Sequence, residues 1–232
     1  ISACLVGSEM CIRDRFKFSY LFGGLDKNVL LNLSKYTAMA VTSAACVPVS
    51  HILIRTYLGD TLGLEAAGYW EAMWRLSAAY LMLVTTTLSL YYLPKLSELK
   101  EPAEIRKEII QGYKIILPVA ASCSLVIYLL RDFIIGVLFT QDFIPMRELF
   151  GWQLAGDTLK IGSWILAYVM LGKAMVKLFI LTEIFFSISF VMLSYLFVQY
   201  IGLKGTALAH AANYFIYWFF LALVMYKRFR VF

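Results

Sequence analysis

Long apolar runs separated by short polar stretches dominate this chain of 232 residues. Six of the runs are long enough to cross a bilayer, for which a helix needs roughly 20 mostly apolar residues. They are about 34–58, 72–94, 113–130, 149–171, 178–200 and 205–226. Because backbone polar groups cannot stay unpaired in lipid, runs of this length predict helices. The pattern predicts an all-α integral membrane protein, a bundle of six transmembrane helices.

Two shorter apolar segments fall outside these spans. Residues 133–140 are too few to cross a bilayer and predict a re-entrant or interfacial turn after the third span. Residues 102–112 begin with a proline and place Ile105, Ile109 and Ile110 on one side of a helix. This stretch predicts either a short amphipathic helix on the membrane surface or an ordinary connector.

Composition agrees with a membrane protein and argues against a soluble one. The chain is 61% hydrophobic and 16% charged, with a mean hydropathy of +0.75, whereas soluble domains are nearer half apolar and a quarter charged. Six spans leave about 90 to 110 residues for loops and ends, too few for a separate catalytic domain. Cys4, Cys11, Cys46 and Cys123 include no C-x-x-C pair and no zinc-ligand spacing with His, so we expect neither a disulfide framework nor a metal site.

The first residues differ in character from the apolar body. Residues 1–15 begin with Ile rather than Met, show no helical or strand period, and resemble a translated sequencing adapter. The alternative is a short signal segment, which needs an apolar run of 7 to 15 residues. We expect 1–15 to be an artefact on a protein that extends further upstream. Residues 16–33 would then be a cytoplasmic linker, 34–226 the transmembrane lobe and 227–232 a basic cytoplasmic tail.

Lys and Arg in the loops predict the orientation of the spans. The net charge of +6 comes from 21 Lys and Arg against 15 Asp and Glu. Thirteen basic residues fall on one side of the predicted spans: Lys17, Lys27, Lys35, Lys95, Lys100, Arg106, Lys107, Lys114, Lys173, Lys177, Lys227, Arg228 and Arg230. Three fall on the other: Arg131, Arg147 and Lys204. The positive-inside rule therefore places both ends of the chain in the cytoplasm, and because the basic surplus follows topology we expect no nucleic-acid partner.

Polar residues inside the first two spans follow helical stripes. The stripe of the first span comprises Thr37, Ala44, Pro48, His51 and Arg55, and that of the second Arg75, Ala79, Met82, Thr86 and Ser89. A charged side chain within a span costs of order 2.5 to 3.5 kcal/mol and normally faces a bundle interior or water. His51, Arg55 and Arg75 fall at similar depth, away from the cytoplasm, and predict an anion site. The alternative is that both arginines snorkel to the interface.

The later spans carry further polar groups at helical spacing. In the fourth span these are Gln153, Asp157, Lys160, Trp164 and Tyr168. They predict a carboxylate and an ammonium facing one cavity near the midplane, or else a simple internal salt bridge between Asp157 and Lys160. The fifth span adds Glu183. In the sixth, His210 and Asn213 predict either cavity lining or interhelical hydrogen bonds.

Enzyme signatures are missing from the sequence. It has no phosphate-binding glycine loop, no G-x-S-x-G and no H-E-x-x-H. We therefore expect transport rather than catalysis, and no cofactor. Most of the aromatic residues predict interface belts or packing, whereas Trp164 and Tyr168, on the Asp157 face, are candidates for ligand contact.

Several stretches of the chain carry a further signal: 35–55, 70–81, 91–99, 104–109, 128–143, 153–161 and 182–187. In the same order and spacing, they closely resemble the polysaccharide flippases of the multidrug/oligosaccharidyl-lipid/polysaccharide exporter superfamily. The resemblance covers about residue 17 to the C-terminus and is to the O-antigen-type flippases, in particular those of enterobacterial common antigen synthesis.

The resemblance implies an inner-membrane protein of twelve helices in two six-helix lobes, of which this chain is the second. It implies that an undecaprenyl-pyrophosphate-linked oligosaccharide is turned from the cytoplasmic to the periplasmic leaflet by alternating access. The implied partners are this lipid-linked glycan, membrane lipid, the missing N-terminal lobe and other membrane proteins of glycan assembly.

The residues suit these roles. His51, Arg55 and Arg75 would contact the pyrophosphate, and Trp164 and Tyr168 would contact the glycan. Asp157, Lys160 and Glu183 would form the charge switch of a cation-coupled or potential-driven cycle. His210 and Asn213 would line the cavity. The main alternative is a small-molecule or drug antiporter of the same superfamily with Asp157 or Glu183 as proton carrier. A membrane polymerase or ligase needs a longer loop, and a non-transporting scaffold is a third possibility.

Overall fold

The structure of the chain, a computed structural model, describes residues 27–229. The fold considered below is that of the compact unit that begins at residue 36. The predicted artefact at 1–15, most of the predicted linker and the last three residues of the predicted tail lie outside the described residues.

The regular structure within residues 27–229 is helical throughout. The elements are α1 Lys27–Leu62, α2 Leu64–Thr87, a π-helical segment Leu88–Tyr92, α3 Leu93–Glu98, α4 Pro102–Leu129, α5 Arg131–Leu138, a 3-10 helix Gln141–Leu149, α6 Phe150–Gly172, α7 Val176–Ile201 and α8 Lys204–Phe229. Six of the helical stretches in this range are long and apolar enough to cross a membrane. The predicted all-helical class with six spans is confirmed.

The start of the third span differs from the sequence prediction. The stretch from Pro102 to Gly112 is neither a separate surface helix nor a connector, because it forms the first three turns of the continuous helix α4. Ile105 and Ile109 are buried and pack in one cluster with Leu96. Burial of this apolar side against α3 explains why the helix continues inward. At the other end of the lobe, 133–140 falls in the short helix α5 and the turn after it.

Helix α6 is the centre of the bundle. In the span that contains it, 61% of the most apolar 18-residue stretch is buried, whereas the corresponding share in the other spans is 17–39%. It packs against α8 and α4, and glycines permit the close approaches. A Cβ on Gly156 would lie 2.3 Å from the His210 ring, and one on Gly162 would lie 3.0 Å from the Trp218 ring. The missing side chains therefore let α8 lie directly against α6.

Short connections make successive spans antiparallel, so their ends gather at two ends of the lobe. We call the end that holds the α3–α4 and α6–α7 connections the basic end, and the end that holds α5 the opposite end. At the basic end Lys95 and Glu108 form an ion pair of 2.7 Å, and Lys173 Nζ donates to the Leu99 carbonyl. These contacts join α3, α4 and the α6–α7 connection.

Candidate functional site

Asp157 lies at the centre of a buried polar cluster between α2, α6 and α8. Its side chain is fully buried. Ser77 Oγ and Tyr80 Oη each donate to Oδ2 over 2.6 Å, and His210 Nε2 lies 2.9 Å from Oδ1. Gln153 Nε2 extends the cluster by donating to Ser77 Oγ over 3.4 Å. Partners on both carboxylate oxygens offset the cost of burying the charge. We call these five residues the Asp157 cluster.

His210 is held in that cluster by rings as well as by the carboxylate. It packs edge-on against Trp74 and Tyr214, with ring centroids 4.9 Å away in both cases. Its Nδ1 atom is buried and has no hydrogen-bond partner among the described residues. The close approach of α8 at Gly156, next to Asp157 in the chain, brings the ring to the carboxylate. His210 is therefore an interhelical tie rather than an exposed cavity group.

Lys160 does not pair with Asp157. The ion pairs found among the described residues do not join these two side chains. Instead the Lys160 ammonium lies over three aromatic rings, 4.9 Å from the centroid of Trp74, 5.1 Å from Trp164 and 5.2 Å from Tyr214. Such contacts stabilise a partly desolvated cation. The predicted salt bridge is therefore wrong, and so is the shared cavity, because Asp157 is turned away into its own cluster.

Lys160 lines a cavity of about 360 Å³ between α1, α2, α6, α7 and α8. We call it the aromatic cavity, because ring side chains supply most of its large lining groups: His51, Trp74, Trp164, Tyr168, Phe179, Phe186, Phe190, Tyr214 and Tyr217. Its charged lining residues are Lys160 and Glu183. Asn213 also lines it, with a buried Oδ1 that has no partner among the described residues. A wall of rings with one carboxylate, one ammonium and an amide can hold an uncharged polar ligand.

The arginines lie in a different place. Arg55 and Arg75 line a more open cavity of about 1010 Å³ at the opposite end, which we call the arginine pocket. Asp60 and Glu71 share this lining, and Glu71 accepts from Arg75 Nε over 3.0 Å. His51 is separate from them and packs on Trp74 in the aromatic cavity, with ring centroids 4.4 Å apart. The predicted group of three cations therefore divides between two cavities, with both arginines in one and His51, one turn from Arg55 on α1, in the other.

The second span has two different faces, and the polar stripe predicted from the sequence lies on the outer one. The predicted stripe of Arg75, Ala79, Met82, Thr86 and Ser89 is exposed along its whole length. The inward face carries Trp74, Ser77 and Tyr80, which contact Lys160 and Asp157 and which the sequence analysis missed. Their spacing of three residues was the available signal, since it places them on one side of a helix with the buried Trp70.

Metal-binding and thiol chemistry have little support in the described part of the chain. Within residues 27–229 no group of three or more His, Cys, Asp or Glu side chains could hold a metal ion. Cys46 and Cys123 are free thiols, and the other two cysteines lie outside the described residues.

No protein-family model matches this chain. A solved structure, the MATE transporter VcmN of Vibrio cholerae in its bent form, has the same fold with a TM-score of 0.64 at 17% sequence identity. The match covers 85% of this chain and 46% of that one. The chain is a multi-pass, all-helical membrane protein whose fold matches half of a MATE transporter.

Sequence comparison narrows this class. The lipid III flippases of Escherichia coli (strain K12) and Shigella flexneri are each 35% identical to the chain over 199 residues, which is 86% of this chain and 48% of either relative. The chain therefore spans about half the length of the curated relatives that it matches. It is a homologue of the lipid III flippases over most of its own length.

Proposed function

We propose that this chain forms one lobe of a two-lobed flippase that moves an undecaprenyl-pyrophosphate-linked oligosaccharide across the bacterial inner membrane by alternating access. The observation that supports this most is the 35% identity to lipid III flippases over 86% of the chain. Enterobacterial common antigen precursors are the corresponding candidates for the substrate. The orientation that the basic loops predict, with both ends cytoplasmic, makes the basic end the entry side and the opposite end the periplasmic side.

The exposed polar faces of α1 and α2 support a second lobe. Arg55 and Arg75 are exposed on helices that cross the membrane, and charged side chains facing lipid are costly. A protein surface, or a water-filled path between two lobes, would remove that cost. We therefore propose that these faces border the substrate path and that the matching lobe covers them.

Within that path we assign the pyrophosphate to the arginine pocket. The Arg75–Glu71 pair is solvent-exposed, with the Arg75 side chain 78% accessible, so breaking it costs little. A pyrophosphate carries more charge than one carboxylate and can contact an arginine with two oxygens. It would displace Glu71 and bridge Arg75 to Arg55.

The aromatic cavity is the candidate for the sugar. Trp164 and Tyr168 line it, and Tyr168 Oη lies 2.9 Å from Ser89 Oγ. Asn213 offers its unpartnered amide oxygen to a sugar hydroxyl. Lys160 and Glu183, the charged groups of this cavity, are the proposed charge switch, with Asp157 and His210 as the buried pair that would sense it.

A chimera would test this function. Residues 36–232 would replace the corresponding half of the Escherichia coli lipid III flippase, in a strain that lacks its own copy. We expect the chimera to restore surface glycan, and the Arg75→Ala variant to lower it by about tenfold or more, the loss expected from a charge-assisted contact of about 1.5 kcal/mol or more.

The matched control is Arg147→Gln, which removes an exposed arginine that pairs with Asp132 outside both cavities. It should retain full activity. Full activity in Arg75→Ala would sink the pyrophosphate assignment, and drug resistance without glycan export would favour the antiporter instead.

A further inference from the structure

A groove of about 400 Å³ runs between α4 and α8 toward the basic end. It is lined by Ile110, Tyr113, Lys114, Leu117 and Trp218. None of these residues lines the aromatic cavity or the arginine pocket. The groove is therefore a third concave surface, separate from the proposed substrate path.

The floor of the groove is fixed to the central helix. Trp218 Nε1 donates to Tyr113 Oη over 2.8 Å, and Tyr113 Oη donates to the Gly162 carbonyl over 2.9 Å. The absence of a side chain at Gly162 lets the Trp218 ring lie against α6, where a Cβ would be 3.0 Å from it. An indole held in this way offers a flat apolar surface beside a polar rim.

The groove combines this apolar floor with one cation. Lys114 is exposed, and the ion pairs found among the described residues do not include it. It is the last charged residue before the apolar run 115–130, so it lies where α4 enters the apolar part of the membrane. Lys107 lies two turns nearer the basic end on the same side of α4. A long lysine side chain at this depth reaches the headgroup level while its stem stays in apolar surroundings.

We propose that this groove binds an anionic phospholipid, with an acyl chain against Ile110, Leu117 and Trp218 and with the phosphate on Lys114. The charge of the lipid complements the lysine, and the apolar walls match its chain. Basic clefts between membrane helices recognise anionic headgroups in this way. Such a lipid would fill the space between α4 and α8, independently of the glycan that the protein carries.

Trp218 is itself a reporter for the lipid. The 232-residue chain is reconstituted in nanodiscs with a fixed fraction of brominated phosphatidylglycerol or brominated phosphatidylcholine, since bromine on an acyl chain quenches a nearby indole. The signal of Trp218 is the difference between the parent and the Trp218→Phe variant. We expect an apparent association about fivefold stronger for the anionic lipid, as for one lysine near a charged headgroup.

Lys114→Gln should remove this preference and Lys114→Arg should keep it. The matched control is Lys177→Gln at the start of α7, an exposed lysine of the same end that lies outside the groove, and it should keep the preference. Equal quenching by both lipids, or a preference that survives Lys114→Gln, would overturn the proposal. Displacement by a polyprenyl phosphate but not by unlabelled phosphatidylglycerol would also overturn it, in favour of the carried lipid.

Discussion

The charged side chain of the Asp157 cluster is buried and paired, whereas Arg75 in the arginine pocket is exposed. In the cluster a fully buried carboxylate has partners on both oxygens, contributed by α2 and α8. In the pocket Arg75 has an ion pair only with Glu71, one turn away on its own helix, among the described residues, and its side chain stays 78% exposed. The first region satisfies both oxygens of its carboxylate within the lobe, whereas the second leaves its arginine open to a partner.

This difference separates groups that hold the lobe together from groups that can bind. Removing a partner from a buried, satisfied network leaves the other members without hydrogen bonds at full desolvation cost. Removing an exposed arginine costs little free energy, because its former partner stays in contact with solvent. Substitutions in the Asp157 cluster should therefore lower stability, whereas substitutions in the arginine pocket should affect function with little loss of stability.

The largest expected effect is that of Asp157→Ala. It leaves the Ser77 and Tyr80 hydroxyls and the His210 ring without their acceptor, which should lower the free energy of unfolding by about 3 to 5 kcal/mol. Thermal unfolding in detergent should show a drop in melting temperature of roughly 10 °C. Arg75→Ala, measured beside it, should change the free energy of unfolding by less than about 0.5 kcal/mol. Equal drops in both variants would contradict the distinction between the two regions.

A smaller loss is expected from Gly156→Ala. The added Cβ would approach the His210 ring to 2.3 Å and the Ala211 backbone nitrogen to 3.0 Å, so α8 must move away from α6 and from Asp157. Overpacking of this kind costs about 1 to 3 kcal/mol. Gly68→Ala is the matched control, because a Cβ there meets nothing within 4 Å, and the gain in helix propensity should leave it neutral or slightly stabilised. A Gly156→Ala melting temperature at or above that of the parent would mean that the contact between α6 and α8 is looser than described.

The comparison also shows what sequence patterns could and could not predict. The six spans follow from the length of the apolar runs, because lipid leaves the backbone no alternative to a helix. The division of α2 into an inner and an outer face does not follow, since the face with Trp74, Ser77 and Tyr80 is about as polar as the face with Arg75. Only packing against other spans decides which face is buried.

The partners of Asp157 and Lys160 could not be predicted from residue spacing along one helix either. Asp157 and Lys160 are three residues apart, and that spacing makes a contact plausible on any helix. The carboxylate instead meets His210, 53 residues away in sequence, because Gly156 admits α8 at that position. Lys160 is then left to the rings of α2, α6 and α8. A hydrogen bond between distant helices cannot be predicted from one helix alone.

The smallest effect is expected from cysteine substitutions on the two faces of α2, which probe exposure without removing a stabilising group from the outer face. In a background without native cysteines, Arg75→Cys should react with a charged, water-soluble thiol reagent at least about fivefold faster than Ser77→Cys, because a buried thiol is protected. Denatured protein should label equally in both variants, which serves as the control for intrinsic reactivity. When residues 36–232 are joined to the other half of a lipid III flippase, labelling of Arg75→Cys should slow if the second lobe covers this face. Unchanged labelling in the chimera would show that the exposed face of α2 is directed to lipid or bulk water, and the proposal that this face borders a path between two lobes would fail.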